Sequence, residues 1–257
     1  MVKAGKLSYT GSMTHRLDIY LVNNGMARSR ARARELVEAG HVQVNGTVPK
    51  KASFVVEDGA EVVLLQEDHP YVSRGAFKLL ALLEAAPKLA LKGKDVLDLG
   101  ASTGGFTQVA LEKGAGLVYA LDVGTGQLDA SLARLKQVIN LEKTDARDLD
   151  GVDFDPAPTV LVGDISFISL TKVLPSVFGR LPELRQLGLL VKPQFELQPE
   201  DIGSGGLVKD PEKHTRACES VKACVEAHGF SVRVLVPCPL KGGDGNQEFL
   251  LYAEKSA

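Results

Sequence analysis

Val96-Leu97-Asp98-Leu99-Gly100-Ala101-Ser102-Thr103-Gly104-Gly105-Phe106 opens as an apolar strand, breaks at a glycine-bearing turn and ends where a helical pattern begins. Glycines at such a break permit a tight turn and close backbone approach by a ligand, and the following helix offers free N–H groups. Outward from this unit the alternation recurs. Strands are predicted over 96–99, 117–122, 138–141, 159–162, 187–191, 231–236 and 248–252, and helices over 73–86, 106–113, 127–135 and 211–228. Such alternation builds a largely parallel sheet with helices on both faces, the Rossmann-like α/β class. The last two strands are joined by a stretch containing Gly242-Gly243-Asp244-Gly245-Asn246, too short for a crossover helix, so an antiparallel hairpin is expected at the sheet edge.

With 257 residues, 44% of them apolar, the chain is long enough to bury a real core. Thirty basic and 32 acidic residues leave a formal charge of −2, which excludes a uniformly cationic surface; affinity for nucleic acid would need a local patch. Cys218, Cys224 and Cys238 lack both zinc-site spacing and the density of a disulfide framework, so structural thiols and a reducing cytoplasm are expected. No apolar run approaches the ~20 residues that span a bilayer, and no secretion signal opens the chain. Residues 1–12 show no periodicity and read as a tag or disordered segment, with a native start expected at Met13.

A small α+β domain is expected over 14–66, a linker over 67–72 and the α/β domain over 73–257. In the small domain, two short helices precede His41-Val42-Gln43-Val44-Asn45-Gly46-Thr47-Val48, whose Asn-Gly pair is a strong hairpin signal. Between residues 16 and 51 seven cations, Arg16, Arg28, Arg30, Arg32, Arg34, Lys50 and Lys51, face three acids, Asp18, Glu35 and Glu38. The charges suit either a phosphate-contacting surface or a solvated helix face. The Arg16-Leu17-Asp18 start, the Ser29-Arg30-Ala31-Arg32-Ala33 helix and the Val44-Asn45-Gly46 turn together resemble the S4 RNA-binding domain. That resemblance implies recognition of folded RNA through shape and phosphates.

In the larger domain, the spacing Asp-x-Gly-x-x-x-Gly-Gly differs from the Gly-x-Gly-x-x-Gly of dinucleotide enzymes, and a loop carboxylate at Asp98 would repel a pyrophosphate. A cofactor carrying positive charge fits better than a nicotinamide. Asp122, closing the next strand, suits the two hydroxyls of a ribose, and Asp145, after the third, suits an adenine amine. Each could equally be a turn residue; three at successive strand ends point to S-adenosylmethionine, held by Asp98, Gly100, Ser102, Thr103, Gly104, Gly105, Phe106, Asp122 and Asp145.

Five motifs taken together resemble the TlyA family: Ser73-Arg74-Gly75-Ala76-Phe77-Lys78-Leu79, the glycine loop, Asp164-Ile165-Ser166-Phe167-Ile168-Ser169-Leu170, Val191-Lys192-Pro193-Gln194-Phe195-Glu196, and Glu248-Phe249. These are bacterial S4-domain ribosomal-RNA 2′-O-methyltransferases with an FtsJ-like catalytic domain, also called haemolysin A. The resemblance implies S-adenosylmethionine-dependent methylation of a cytidine ribose in ribosomal RNA, in the cytoplasm, without a metal. It implies a catalytic set of Lys78, Asp164, Lys192 and Glu248, with ribosomal RNA or a ribosomal subunit as partner. Arg16, Arg28, Arg30, Arg32, Lys50, Lys51 and Arg74 are the expected RNA contacts. Lys192 is placed against the 2′-hydroxyl, where it serves as a general base if neutral or orients the hydroxyl if cationic; the residues leave both roles open. The competing readings are a catalytically silent RNA-binding assembly factor and a cytolysin. Retention of all four side chains opposes the first, and hydropathy opposes the second.

Overall fold

A computed structural model describes residues 14–27, 29–65 and 70–255. The expected tag over 1–12, Arg28 and residues 67–69 of the expected linker lie outside the described residues. The chain separates into two compact units, with the division between Pro70 and Tyr71.

The smaller unit runs β1 (His15–Arg16), α1 (Leu17–Asn23), α2 (Arg30–Glu38), β2 (Val42–Val44), β3 (Val55–Val56) and β4 (Val62–Leu64). Helical spacing places Leu17 and Leu21 of α1 against Ala33, Leu36 and Val37 of α2, and Val42 and Val44 of β2 with Val56 of β3 close this core. The Ser29 side chain starts α2 by accepting from the Arg32 N–H at 3.2 Å. Asn45 and Gly46 form the anticipated turn with φ of 47° and 78°. The hairpin itself differs from expectation, because one bridge, Val44 to Thr47, closes it, and β2 takes β4 as its antiparallel partner. Pro49 follows at once and has no N–H with which to extend a ladder.

The larger unit comprises α3 (Gly75–Ala85), β5 (Asp95–Leu99), α4 (Gly105–Glu112), β6 (Leu117–Leu121), α5 (Ala130–Ala133), β7 (Val138–Leu141), β8 (Val160–Gly163), α6 (Leu170–Arg180), β9 (Gln186–Val191), α7 (Pro193–Glu196), α8 (Pro211–Ala227), β10 (Phe230–Pro237) and β11 (Phe249–Lys255). Its described strands form one sheet in the order β10-β11-β9-β8-β5-β6-β7. Neighbours from β9 to β7 are parallel, and the β10/β11 hairpin is antiparallel at the edge, as its short connection requires. From β5 the chain steps outward to β7 and then returns to the opposite side of β5 as β8. The carboxyl ends of β5 and β8 therefore flank a crevice of the kind in which open α/β sheets bind ligands.

Alternation along the strands divides the core in two. Leu97, Leu99, Leu121, Leu161, Leu187 and Leu189 face α6 and α8, whereas Val96, Val118, Val160, Val162 and Leu190 face α3 and α4. Each fully buried leucine contributes about 1.5–3 kcal/mol of transfer free energy. Two local expectations change. The helix expected over 127–135 contracts to the four residues of α5, since the N–H groups of Gly126, Gln127 and Leu128 all donate to the Glu142 carboxylate instead. Helix α6 is not among the expected elements, although Leu170, Val173, Leu174 and Val177 recur at helical spacing; Pro175 inside it is a residue that ordinarily argues against a helix. Among the described residues no helix is long and apolar enough to cross a membrane.

Candidate active site

Strand parity assembles the site. Val162, Leu190 and Leu250 lie in the core layer beneath α3. Two residues further along β8 and β9, and two back from Leu250, come Asp164, Lys192 and Glu248, in the same phase, at the edge where the apolar layer stops. The antiparallel register of β11 on β9 pairs Phe249 with Val191, so Glu248 and Lys192 stand opposite one another one step later. Lys78 reaches the same point from α3, next to the buried Leu79.

The four side chains meet there. Lys192 Nζ lies 2.7 Å from Asp164 Oδ1, and Lys78 Nζ lies 2.7 Å from Glu248 Oε2 and 3.5 Å from Asp164 Oδ2. Side-chain exposure is 8% for Lys192, 13% for Lys78, 17% for Asp164 and 2% for Glu248. Two cations and two carboxylates balance at this depth, which offsets the cost of withdrawing each charge from water. Burial pulls the Lys78 ammonium toward neutrality, but the Asp164 and Glu248 carboxylates outweigh it, and its pKa ends above the usual lysine value. Burial also raises the Glu248 carboxyl above its ordinary range, with Lys78 opposing. Lys192 donates a further hydrogen bond to Ser166 Oγ at 2.7 Å. Ser166 carried no assigned role in the sequence reading; its position two residues beyond Asp164 was the available signal. Phe167 beside it holds φ of 68° and is 91% exposed, with its ring centroid 5.4 Å from that of Phe195. A bulky residue in that left-handed region is costly, and an exposed ring recovers little by burial.

The glycine loop lies across the crevice. The Asp164 N–H donates to the Leu99 carbonyl at 3.0 Å, joining the ends of β5 and β8. Gly100, at φ 83°, has space for no side chain, since a Cβ would fall 3.0 Å from Ile165 Cγ2. Gly105 is required for a similar reason: a Cβ would fall 2.4 Å from Ser73 Oγ and 2.9 Å from the Ala76 nitrogen, where α3 and α4 begin side by side. Gly104 sits at φ 97° as the residue before α4, and a Cβ there would strike Leu132. These glycines thus serve contacts within the protein as well as the turn. Ser102 donates its N–H to Asp122 Oδ2 at 2.9 Å and its hydroxyl to Gln127 Oε1 at 3.1 Å. The Thr103 carbonyl accepts from the Asp129 N–H, and Phe106 is buried beneath the loop.

Three expectations require correction. Asp98 belongs to β5 rather than to the loop; period-two alternation points it at α4, where it is wholly buried and accepts from Thr107 Oγ1 at 2.6 Å. Burial pushes its carboxyl up to about 7, the Thr107 bond opposes this, and the charges of Asp164 and Asp122 add to it. Asp145 is not a free acceptor, since it is bound to Arg147 through the backbone N–H at 2.9 Å and the guanidinium at 2.6 Å. Arg32 does not present itself to solvent: it is 7% exposed and donates to Glu35 at 2.9 Å, because its place on α2 turns it inward beside Ala33 and Leu36.

Among the described residues, the other cations expected to contact RNA in the smaller unit are outward. Arg16 and Arg30 are 46% and 61% exposed and converge on the buried Asp18 at 3.0 Å each, while Lys50 and Lys51 are exposed. The Arg16 guanidinium, more than Arg30, holds the Asp18 carboxyl down at about 2 against its burial. Arg74, exposed, precedes the first residue of α3. The glycine-rich segment after α7 is tied down by Asn246, which accepts from the Val208 N–H at 2.8 Å and donates to the Gly206 carbonyl at 2.9 Å. Among the described residues no group of three or more His, Cys, Asp and Glu side chains is arranged to hold a metal ion.

Residues 71–255 match the family of FtsJ-like methyltransferases, and residues 15–62 match the S4 domain. The chain is 41% identical over 238 residues to the 16S/23S rRNA (cytidine-2′-O)-methyltransferase TlyA of Mycobacterium tuberculosis, covering 92% of this chain and 88% of that protein. Hemolysin A of Brachyspira hyodysenteriae is 36% identical, covering 92% of this chain and 98% of that one. A solved structure from Streptococcus thermophilus that carries the hemolysin designation superposes with a TM-score of 0.71 at 40% identity, covering 95% of this chain and 89% of that chain. With the Rossmann-like sheet and its N-terminal S4 domain both in place, the chain belongs to the TlyA family of FtsJ-like methyltransferases.

Proposed function

We infer that this protein is a methyltransferase that uses S-adenosylmethionine to methylate the 2′-oxygen of a cytidine ribose in ribosomal RNA, a cytoplasmic activity. The observation that carries this reading is the Lys78, Asp164, Lys192 and Glu248 constellation at the carboxyl edge of the sheet, next to the glycine loop.

The residues around the loop fit such a cofactor. Each Asp122 oxygen accepts one backbone N–H, from Ser102 and Gly124, and keeps a lone pair for a ribose hydroxyl. Asp98 Oδ1 is a buried oxygen without a hydrogen-bond partner, and its carboxylate supplies negative potential beneath the loop for an ammonium and a sulfonium. When bound, S-adenosylmethionine supplies an activated methyl group on a cationic sulfur.

The chain's own groups do the rest. Asp164 Oδ1 and Ser166 Oγ hold Lys192 Nζ at 2.7 Å each, and the Asp164 carbonyl takes its third donor at only 3.4 Å, a long bond that can be exchanged for one to the 2′-oxygen. Lys78 neutralises Glu248 and keeps Asp164 from accumulating uncompensated charge. Ideal positioning of two reactants can remove up to ~7–11 kcal/mol from a bimolecular barrier. Anchored by Asp164 Oδ1 and Ser166 Oγ at 2.7 Å each, the Lys192 amine is fixed in place, which favours orientation of the hydroxyl as its role. Arg74 and the exposed Arg16, Arg30, Lys50 and Lys51 supply phosphate contacts.

The test uses purified ribosomal subunits and labelled S-adenosylmethionine, with the modified nucleotide mapped. Lys192→Ala should lose methyl transfer and keep cofactor and RNA binding. Lys192→Arg should keep measurable transfer if orientation is the role, since a guanidinium donates but does not deprotonate at these pH values. Full activity in Lys192→Ala would overturn the site assignment.

A further inference from the structure

We propose that Glu196 is a positioning residue that sets the distance between the two strand-end loops bearing Lys192 and Asp164, and so holds Lys192 in its reactive place. The proposal rests on the catalytic reading of those two residues.

Glu196 ends the short helix α7, four residues after Lys192. Its carboxylate leaves its own element and crosses to the start of α6, where Oε1 accepts from the Leu170 N–H at 2.8 Å and Oε2 from Ser169 Oγ at 2.5 Å. Leu170 and Ser169 lie at the far end of the loop that begins with Asp164. The two loops are therefore joined twice: by Lys192 to Asp164 and Ser166 at one end, and by Glu196 to Ser169 and Leu170 at the other. Two fixed points set a separation that a single ion pair, free to swing, does not.

A helix cap alone does not account for this carboxylate. Helix α6 has its own cap, since Ser169 Oγ accepts from the Thr171 N–H at 3.1 Å. Burying a carboxylate is costly, and burial does raise the Glu196 pKa above its ordinary range, although Ser169 and the N–H groups of α6 oppose the shift. An apolar side chain would pack α7 on α6 without that cost. What it could not supply is a directional link of fixed length, which a charge-assisted pair of hydrogen bonds at a helix N-terminus provides. A displacement of about 1 Å between reacting groups can cost on the order of 100-fold in rate.

The experiment measures single-turnover methyl transfer, cofactor affinity and RNA affinity for Glu196→Ala, Glu196→Gln, Ser166→Ala and the Glu196→Gln/Ser166→Ala double variant, with Lys192→Ala in parallel. Glu196→Ala should lose about 100-fold in rate with both affinities unchanged, and Glu196→Gln, which keeps an acceptor for the Leu170 N–H, should recover about 10-fold of that. Because Glu196 acts through the loop bearing Ser166, the double variant should be little slower than the slower single variant. A folded Glu196→Ala at the wild-type rate would overturn the proposal, as would rate losses matched by equal losses of cofactor affinity. If Glu196→Ala does not fold, the Gln pair decides: multiplying effects refute the brace and shared effects support it. An inactive Lys192→Ala beside an unaffected Glu196 series would refute this inference alone, whereas an active Lys192→Ala would refute the catalytic reading beneath it.

Discussion

Replacing Asp98 by Asn should stabilise the protein above neutral pH while weakening its hold on the cofactor. The Asp98 carboxyl is fully buried in β5, and its pKa rises from 3.8 to about 7 in the folded chain. Between those values the folded state keeps a proton that the unfolded chain releases, so stability falls as pH rises through that window and is level above it. A shift of about 3 units at ~1.4 kcal/mol each gives a penalty of about 4 kcal/mol above pH 7, and none below pH 4 where both states are protonated. Asn has the same shape and no charge. It keeps an acceptor for Thr107 Oγ1, but its NH2 takes the place of an oxygen that has no partner, at a cost of about 1–3 kcal/mol. The net gain at pH 8 is therefore about 1–3 kcal/mol, and for a domain of this size 2 kcal/mol raises Tm by roughly 4–8 °C. Thermal unfolding of both proteins from pH 5 to pH 8, following the transition of the larger unit, checks this. The gap in Tm should widen with pH. A gap independent of pH would show that Asp98 does not titrate in this range and would refute the argument. Calorimetry with S-adenosylmethionine at pH 8 tests the functional half: undiminished affinity in Asp98→Asn would remove the carboxylate from the cofactor site.

Asp122→Ala should weaken cofactor binding, measured by calorimetry, and loosen the glycine loop, because the Ser102 and Gly124 N–H groups lose their shared acceptor. Arg30→Ala and Arg32→Ala should separate recognition from stability. Loss of the exposed Arg30 should weaken RNA binding and flatten its single-strand salt dependence by ~0.7 log units per phosphate contact. Loss of the buried Arg32 should lower the melting of the smaller unit by about 1–2 kcal/mol through lost packing.

Order along the chain was sufficient for the architecture. The apolar runs and their turns set a parallel sheet closed by an antiparallel hairpin, since strand period and connection length are local properties. Lys78, Asp164, Lys192 and Glu248 were also legible, through motifs that resembled a known family, although nothing local brings residues 78 and 248 together. Tertiary structure decided what each side chain touches. The strand expected over 96–99 ends where β5 ends and already contains Asp98; what the structure decided is that the side chain points at the face α4 covers and is buried there instead of reaching the loop. Arg32 and Asp145 carried the right charge for their expected roles, yet a neighbour three residues away in one case and two in the other claims each of them. Composition cannot distinguish a cation facing phosphate from one folded against its own helix. Helix α6 was legible in the spacing of Leu170, Val173, Leu174 and Val177 despite Pro175, but the reach of Glu196 from one strand-end loop to the other was not. That link joins residues 26 positions apart, whose proximity exists only once β8 and β9 lie side by side in the sheet.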